Sequence, residues 1–154
     1  MSDWLSALEA EKKRKESTER IEAERQKRQS EQERAERKER ERASYDNNRD
    51  KIEEIYSQLL TNVKRAEDLG FRFSEVKRYD HTLHLVWGPH KSFMLTPDGD
   101  GFDAMFFDLY DNRNVCLHRH IPFHRISEHT ILDWVKWLAK GEGRPWRQRW
   151  QLFG

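Results

Sequence analysis

Apolar positions are spread unevenly along this chain, and their spacing changes character from one segment to the next. Up to about Ala43 large apolar residues are nearly missing. From there Ile52, Tyr56, Leu59, Val63 and Ala66 step four, three, four and three, with Ile55 and Leu60 widening the stripe. That is the spacing of an amphipathic helix whose face is broad enough to pack on a sheet. Gly70 stands where a left-handed C-cap belongs.

Between Phe71 and Ile121 the period drops to two, the signature of half-buried strands. Phe71 and Phe73 alternate with Arg72 and Ser74, predicting a strand that runs towards Arg78. Leu83, Leu85 and Trp87 share one face of a second strand, and Phe93 and Leu95 mark a short third. Pro97, Asp98, Gly99, Asp100 and Gly101 form the clearest loop signal in the chain. Phe102 to Tyr110 is apolar on both faces: Phe102, Ala104 and Phe106 on one, Met105, Phe107 and Leu109 on the other. Such a strand is covered on both sides, or its second face is sticky. Val115, Leu117 and Ile121 mark a fifth. Ser127 is an N-cap for a last helix carrying Ile131, Trp134, Val135 and Leu138, closed by Gly141.

The pattern predicts an α+β fold: a long charged N-terminal helix, then an antiparallel sheet of four or five strands flanked by two amphipathic helices on the same face. Three segments follow from it: a charged helical arm (1–44), a compact α+β domain (45–141) and an Arg/Trp-rich tail (142–154). The 154 residues give room for one ordinary domain.

The arm lacks a core but has support of another kind. No glycine precedes Gly70 and no proline precedes Pro89, and strong helix formers fill Glu9 to Ala43. Glutamate stands four residues before a cation at Glu9–Lys13, Glu11–Lys15, Glu16–Arg20, Glu24–Arg28, Glu33–Arg37 and Glu36–Arg40. Each such pair contributes only about 0.2–0.5 kcal/mol, but repetition adds up. The composition is coiled-coil-like, yet Ile21, Ala23 and Ala35 are all the stretch offers for a seam, which favours a lone helix over a dimer seam, with partial disorder the main competitor. Ser44 to Asn48 is rich in cap and turn formers and predicts a break there.

Charge and cysteine usage narrow the function classes. Charged residues make up 37 % of the chain but the formal net charge is +1, so no global field draws in nucleic acid or an anionic membrane. The lone cysteine, Cys116, excludes an internal disulfide and fits a reducing, cytoplasmic setting. No segment approaches the ~20 apolar residues of a membrane span, so a membrane partner is not expected.

Four groups of residues carry candidate chemistry. Trp4, Leu5 and Leu8 form an apolar knob at the start of the polar arm, the arrangement of a helical peptide that docks in a partner's groove. Cys116, His118 and His120 share one strand face, where two histidines at i, i+2 can ligate a divalent metal, with His84 or Asp108 as further donors. Arg144, Trp146, Arg147, Arg149 and Trp150 combine guanidinium groups with stacking rings, the chemistry of single-strand nucleic-acid binding; equally, the two tryptophans can fold back to close the core. The acidic loop Asp98–Asp103 lacks the remaining ligands of a calcium loop, and Glu75-Val-Lys77 lacks the partner aspartate of a metal-dependent nuclease. Neither a phosphate loop nor a nucleophile elbow is present in the sequence. The sequence therefore points to a non-enzymatic protein-interaction or adaptor module without a cofactor. A nucleic-acid-binding accessory protein and a metal-dependent hydrolase centred on His118 and His120 are the alternatives.

Overall fold

The computed structural model describes residues 2–71, 73–88, 91–108 and 115–140. Helix α1 (Ser2–Asn47) is followed by α2 (Arg49–Asp68), strands β1 (Glu75–Tyr79), β2 (Thr82–Trp87), β3 (Lys91–Asp98), β4 (Gly101–Asp108) and β5 (Val115–Pro122), a 3-10 turn (Phe123–Arg125) and α3 (Glu128–Lys140). The chain divides into two compact units, one ending at Glu39 and the next beginning at Arg40.

In the first unit α1 is continuous helix, and every side chain described from Asp3 to Glu39 is exposed. None of the six Glu-to-cation pairs closes to ion-pair contact, although the helix forms as expected. Exposed long side chains gain little from pairing because each already holds its hydration and its rotamer freedom. Intrinsic propensity therefore carries more of this helix than charge pairing does.

The second unit is a five-stranded antiparallel meander with strand order β1-β2-β3-β4-β5. Alternate residues of the strands put Leu83, Leu85, Phe93, Leu95, Phe102, Ala104 and Phe106 on one face, all buried. Both α2, through Ile52, Ile55, Tyr56, Leu59 and Val63, and α3, through Ile131, Trp134, Val135, Trp137 and Leu138, join that same core. Ring contacts mark the seams: Tyr56 stacks on Phe102 at 5.5 Å, and Trp134 meets Phe93 at 5.1 Å.

Three junctions explain how the helices begin and end. The break falls at Asn48, whose side-chain amide donates to the Ser44 carbonyl (3.0 Å). After α2, Gly70 takes φ +99° and the amides of Gly70 and Phe71 donate back to Glu67 and Ala66, both at 3.0 Å. That is a Schellman closure, which requires a left-handed residue at Gly70. At α3, Ser127 Oγ accepts from the Thr130 amide while Thr130 Oγ1 accepts from the Ser127 amide, each at 3.2 Å, a reciprocal cap.

Two strand boundaries differ from the sequence expectation. Phe71 and Phe73 lie outside any strand; Phe73 instead packs edge-on against Trp87 at 5.1 Å, and pairing starts only at Glu75↔Val86. The chain is still leaving the Schellman turn at Phe71, so it reaches the sheet too late to pair there. Conversely, β3 runs through Pro97 and Asp98, and only Gly99 and Asp100 form the turn. The β2–β3 ladder stops at Leu83↔Leu95, so β3 is locally an edge at Pro97 and a missing N–H costs little. Gly101 opposes Pro122 so closely that a Cβ there would meet the Ile121 carbonyl oxygen at 2.2 Å.

Candidate functional site

The apolar residues at the start of α1 face solvent. Trp4, Leu5 and Leu8 are 61 %, 52 % and 49 % exposed, and as i, i+1 and i+4 they lie on one side of the helix. Further along, Ile21 is exposed as well.

Residues 40–47 of α1 belong to the second unit and bind the sheet's hairpin end. Glu41 Oε1 accepts from Thr82 Oγ1 (2.9 Å) and from the His81 amide (3.2 Å). Ser44 Oγ donates to the Gly99 carbonyl at 2.9 Å, and the Tyr45 ring stacks on His81 with centroids 3.9 Å apart. Tyr45 also donates to Glu53 Oε1 (2.5 Å), and Arg78 forks onto both oxygens of that carboxylate. The guanidinium lies 5.8 Å from the Tyr45 ring and 5.3 Å from the Tyr56 ring. The Arg78 hydrogen bonds, then that of Tyr45, hold the Glu53 carboxyl down at about 2, and the same pairing raises Arg78. Tyr56 is buried and donates to the carbonyls of His81 (2.6 Å) and Leu95 (3.2 Å); burial pushes its phenol well up. Sequence reasoning missed this clasp. Tyr56 was visible only as one more stripe position, and Arg78 as a polar strand residue.

The other face of the sheet presents a different surface. His84, Val86, Ser92, Met94, Asp103, Met105, Phe107, His118 and His120 alternate with the core residues, and all whose exposure is described are partly or fully accessible. Apart from Glu41 at the Thr82–Thr96 margin, no helix packs on this face among the described residues. The doubly apolar pattern of β4 is therefore a covered face and a partly exposed one.

The histidines expected as metal ligands each engage an aspartate through Nε2. His118 Nε2 pairs with Asp103 Oδ1, and His120 Nε2 lies 2.9 Å from Asp100 Oδ1. That hydrogen bond lowers the Asp100 carboxyl. Cys116 stands opposite Phe107 in the ladder, two residues before His118. No group of three His, Cys, Asp or Glu placed to hold a metal occurs among the described residues. His84, from β2, is lowered by burial and then by Lys77. The tail residues Arg144, Trp146, Arg147, Arg149 and Trp150 lie outside the described residues.

A groove of about 530 Å³ runs between α2 and α3, lined by polar side chains such as Gln58, Asn62, Arg65 and Glu128 together with Leu132. It is open to solvent. No helix among the described residues is long and apolar enough to cross a membrane. No protein-family model, no curated protein and no solved structure matches the chain.

Proposed function

We propose that this protein is a non-enzymatic interaction module of the cytoplasm, in which α1 docks onto a protein partner and the α+β domain anchors it. The observation that carries this reading is the exposed cluster of Trp4, Leu5 and Leu8 on a helix whose other large apolar residues are Ile21 and Tyr45. Tryptophan and leucine at i, i+1 and i+4 supply one apolar face, which a partner groove would take up as it takes any amphipathic helix. The second unit supplies the anchorage: Glu41, Ser44 and Tyr45 tie the same helix into the sheet's hairpin end.

The test compares full-length protein with Trp4→Ala/Leu5→Ala/Leu8→Ala and with protein lacking residues 1–39, each immobilised against extract of the native host, with and without nuclease. Circular dichroism verifies that the triple variant keeps its helix. A protein partner that binds full-length protein, is lost with both changes and ignores nuclease supports the docking arm. A partner retained equally by the triple variant removes it. Partners that survive the truncation and vanish on nuclease treatment would transfer the function to nucleic acid.

A further inference from the structure

One row on the face of the sheet opposite the core has a chemistry that packing among the described residues does not account for. His84 stands directly opposite Met94, Met94 opposite Met105, and Met105 opposite His118. Directly opposed side chains on one sheet face have Cβ atoms about 4.5–5.5 Å apart, within mutual reach of flexible thioethers. Methionine ordinarily fills irregular gaps inside a core. Here both methionines lie partly exposed on a face that no helix covers among the described residues. Val86 and Phe107 on the same face give the sulfurs an apolar flank.

We propose that Met94, Met105 and His118 form a binding site for a soft monovalent metal ion, copper(I), with His84 flanking the row on its other side. Thioether sulfur with imidazole nitrogen is a donor set that selects copper(I) over magnesium, calcium or manganese, which take oxygen ligands. Four strands at about 4.8 Å spacing spread the whole row over roughly 14 Å, so a single ion takes the two thioethers and one imidazole. His118 is the imidazole already oriented. Its Nε2 is engaged by Asp103 Oδ1, and in the neutral tautomer that donates from Nε2 the lone pair lies on Nδ1. A carboxylate holding the far nitrogen is the usual outer partner of a metal-binding histidine. The site differs from a Cys116–His118–His120 centre in using neighbours across strands rather than along β5.

The test uses full-length protein carrying Cys116→Ser, so that a thiol cannot supply the binding. It is titrated anaerobically with copper(I) against a chromophoric copper(I) chelator, and separately with silver(I) while methionine methyl resonances are followed by NMR. One equivalent is expected to bind, shifting the Met94 and Met105 methyls and leaving that of Met1, the third methionine, in place. Met94→Leu/Met105→Leu is expected to weaken binding at least tenfold, and His118→Gln to weaken it as well. Leucine conserves volume; should the double variant still misfold, Met94→Leu alone must weaken copper(I) binding and leave Met105 as the only shifted strand methyl. Unchanged affinity in the methionine variants, unshifted methyls, or loss of all binding with Cys116→Ser would each overturn the site.

Discussion

Arg78 and Glu53 form a tightly coupled charge pair, and a single proton separates its two states. With its carboxyl held at about 2, Glu53 binds its proton far less readily when folded than the ~4.3 of a free glutamate allows. Its contribution to stability is therefore fully present above about pH 5 and is lost as pH falls from there towards 2. Both side chains are more than a third exposed, so solvent screens the pair and the effect is modest. Urea unfolding of Glu53→Gln between pH 2 and 7 is expected to show a lower midpoint at neutral pH and a flatter acid limb than the original protein. Equal acid limbs would mean that the carboxylate is not the titrating group. At this scale little of the clasp was legible in the sequence. Tyr45, Glu53 and Arg78 come from three elements, and no local spacing announces that they meet.

Elements with a period were legible; elements defined by where pairing stops were not. The stripe of α2, the glycine that closes it and the Ser127 cap of α3 all follow from local rules that hold whatever the chain packs against. The start of β1 and the end of β3 depend on partners. Phe71 and Phe73 read as strand by alternation, but the Schellman turn keeps them short of the ladder. Pro97 and Asp98 read as loop by composition, but β4 is still alongside them. Trp137 was missed for a similar reason: the stripe through Ile131, Trp134 and Leu138 already satisfies a helix, while α3 packs broadly enough to bury Trp137 as well. Of the candidate sites, the apolar start of α1 was readable because it is local, whereas the His–Met row exists only through cross-strand register. The join of α2 to the sheet allows a direct check. Tyr56→Phe leaves the ring contact with Phe102 in place but removes the donor to the His81 and Leu95 carbonyls, at an expected cost of about 1–3 kcal/mol in denaturant unfolding. A change within error would show that water replaces the phenol there.

For the whole molecule, the two units have opposite sources of order. The first has no buried side chain among those described, whereas the core of the second begins at Tyr45 and draws on α2, α3 and strands β2, β3 and β4, with Leu117 and Ile121 of β5 packed against it. Removing residues 1–39 is therefore expected to leave the unfolding free energy within about 0.5 kcal/mol, the range of changes that touch no packed feature. Removing residues 1–47 also takes Glu41, Ser44 and Tyr45, with their bonds to Thr82, His81, Gly99 and Glu53, and is expected to lower the unfolding midpoint clearly. Similar loss from both truncations would place structural weight on the first unit that its exposure does not suggest.

The boundary between Glu39 and Arg40 has a practical consequence for a protease. Lysine and arginine recur along an exposed helix held mainly by intrinsic propensity, so trypsin needs only brief local fraying to cut it. The last cleavable arginines of the exposed helix are Arg40, just ahead of the clasp, and Arg42, just past its first contact at Glu41, and from Ser44 side chains fasten the helix to the hairpin end of the sheet. Limited digestion should stall with a fragment whose new N-terminus is Glu41 or Ala43, identified by mass. The enzyme would thereby mark, residue by residue, where a freely fraying helix becomes part of a cooperative fold.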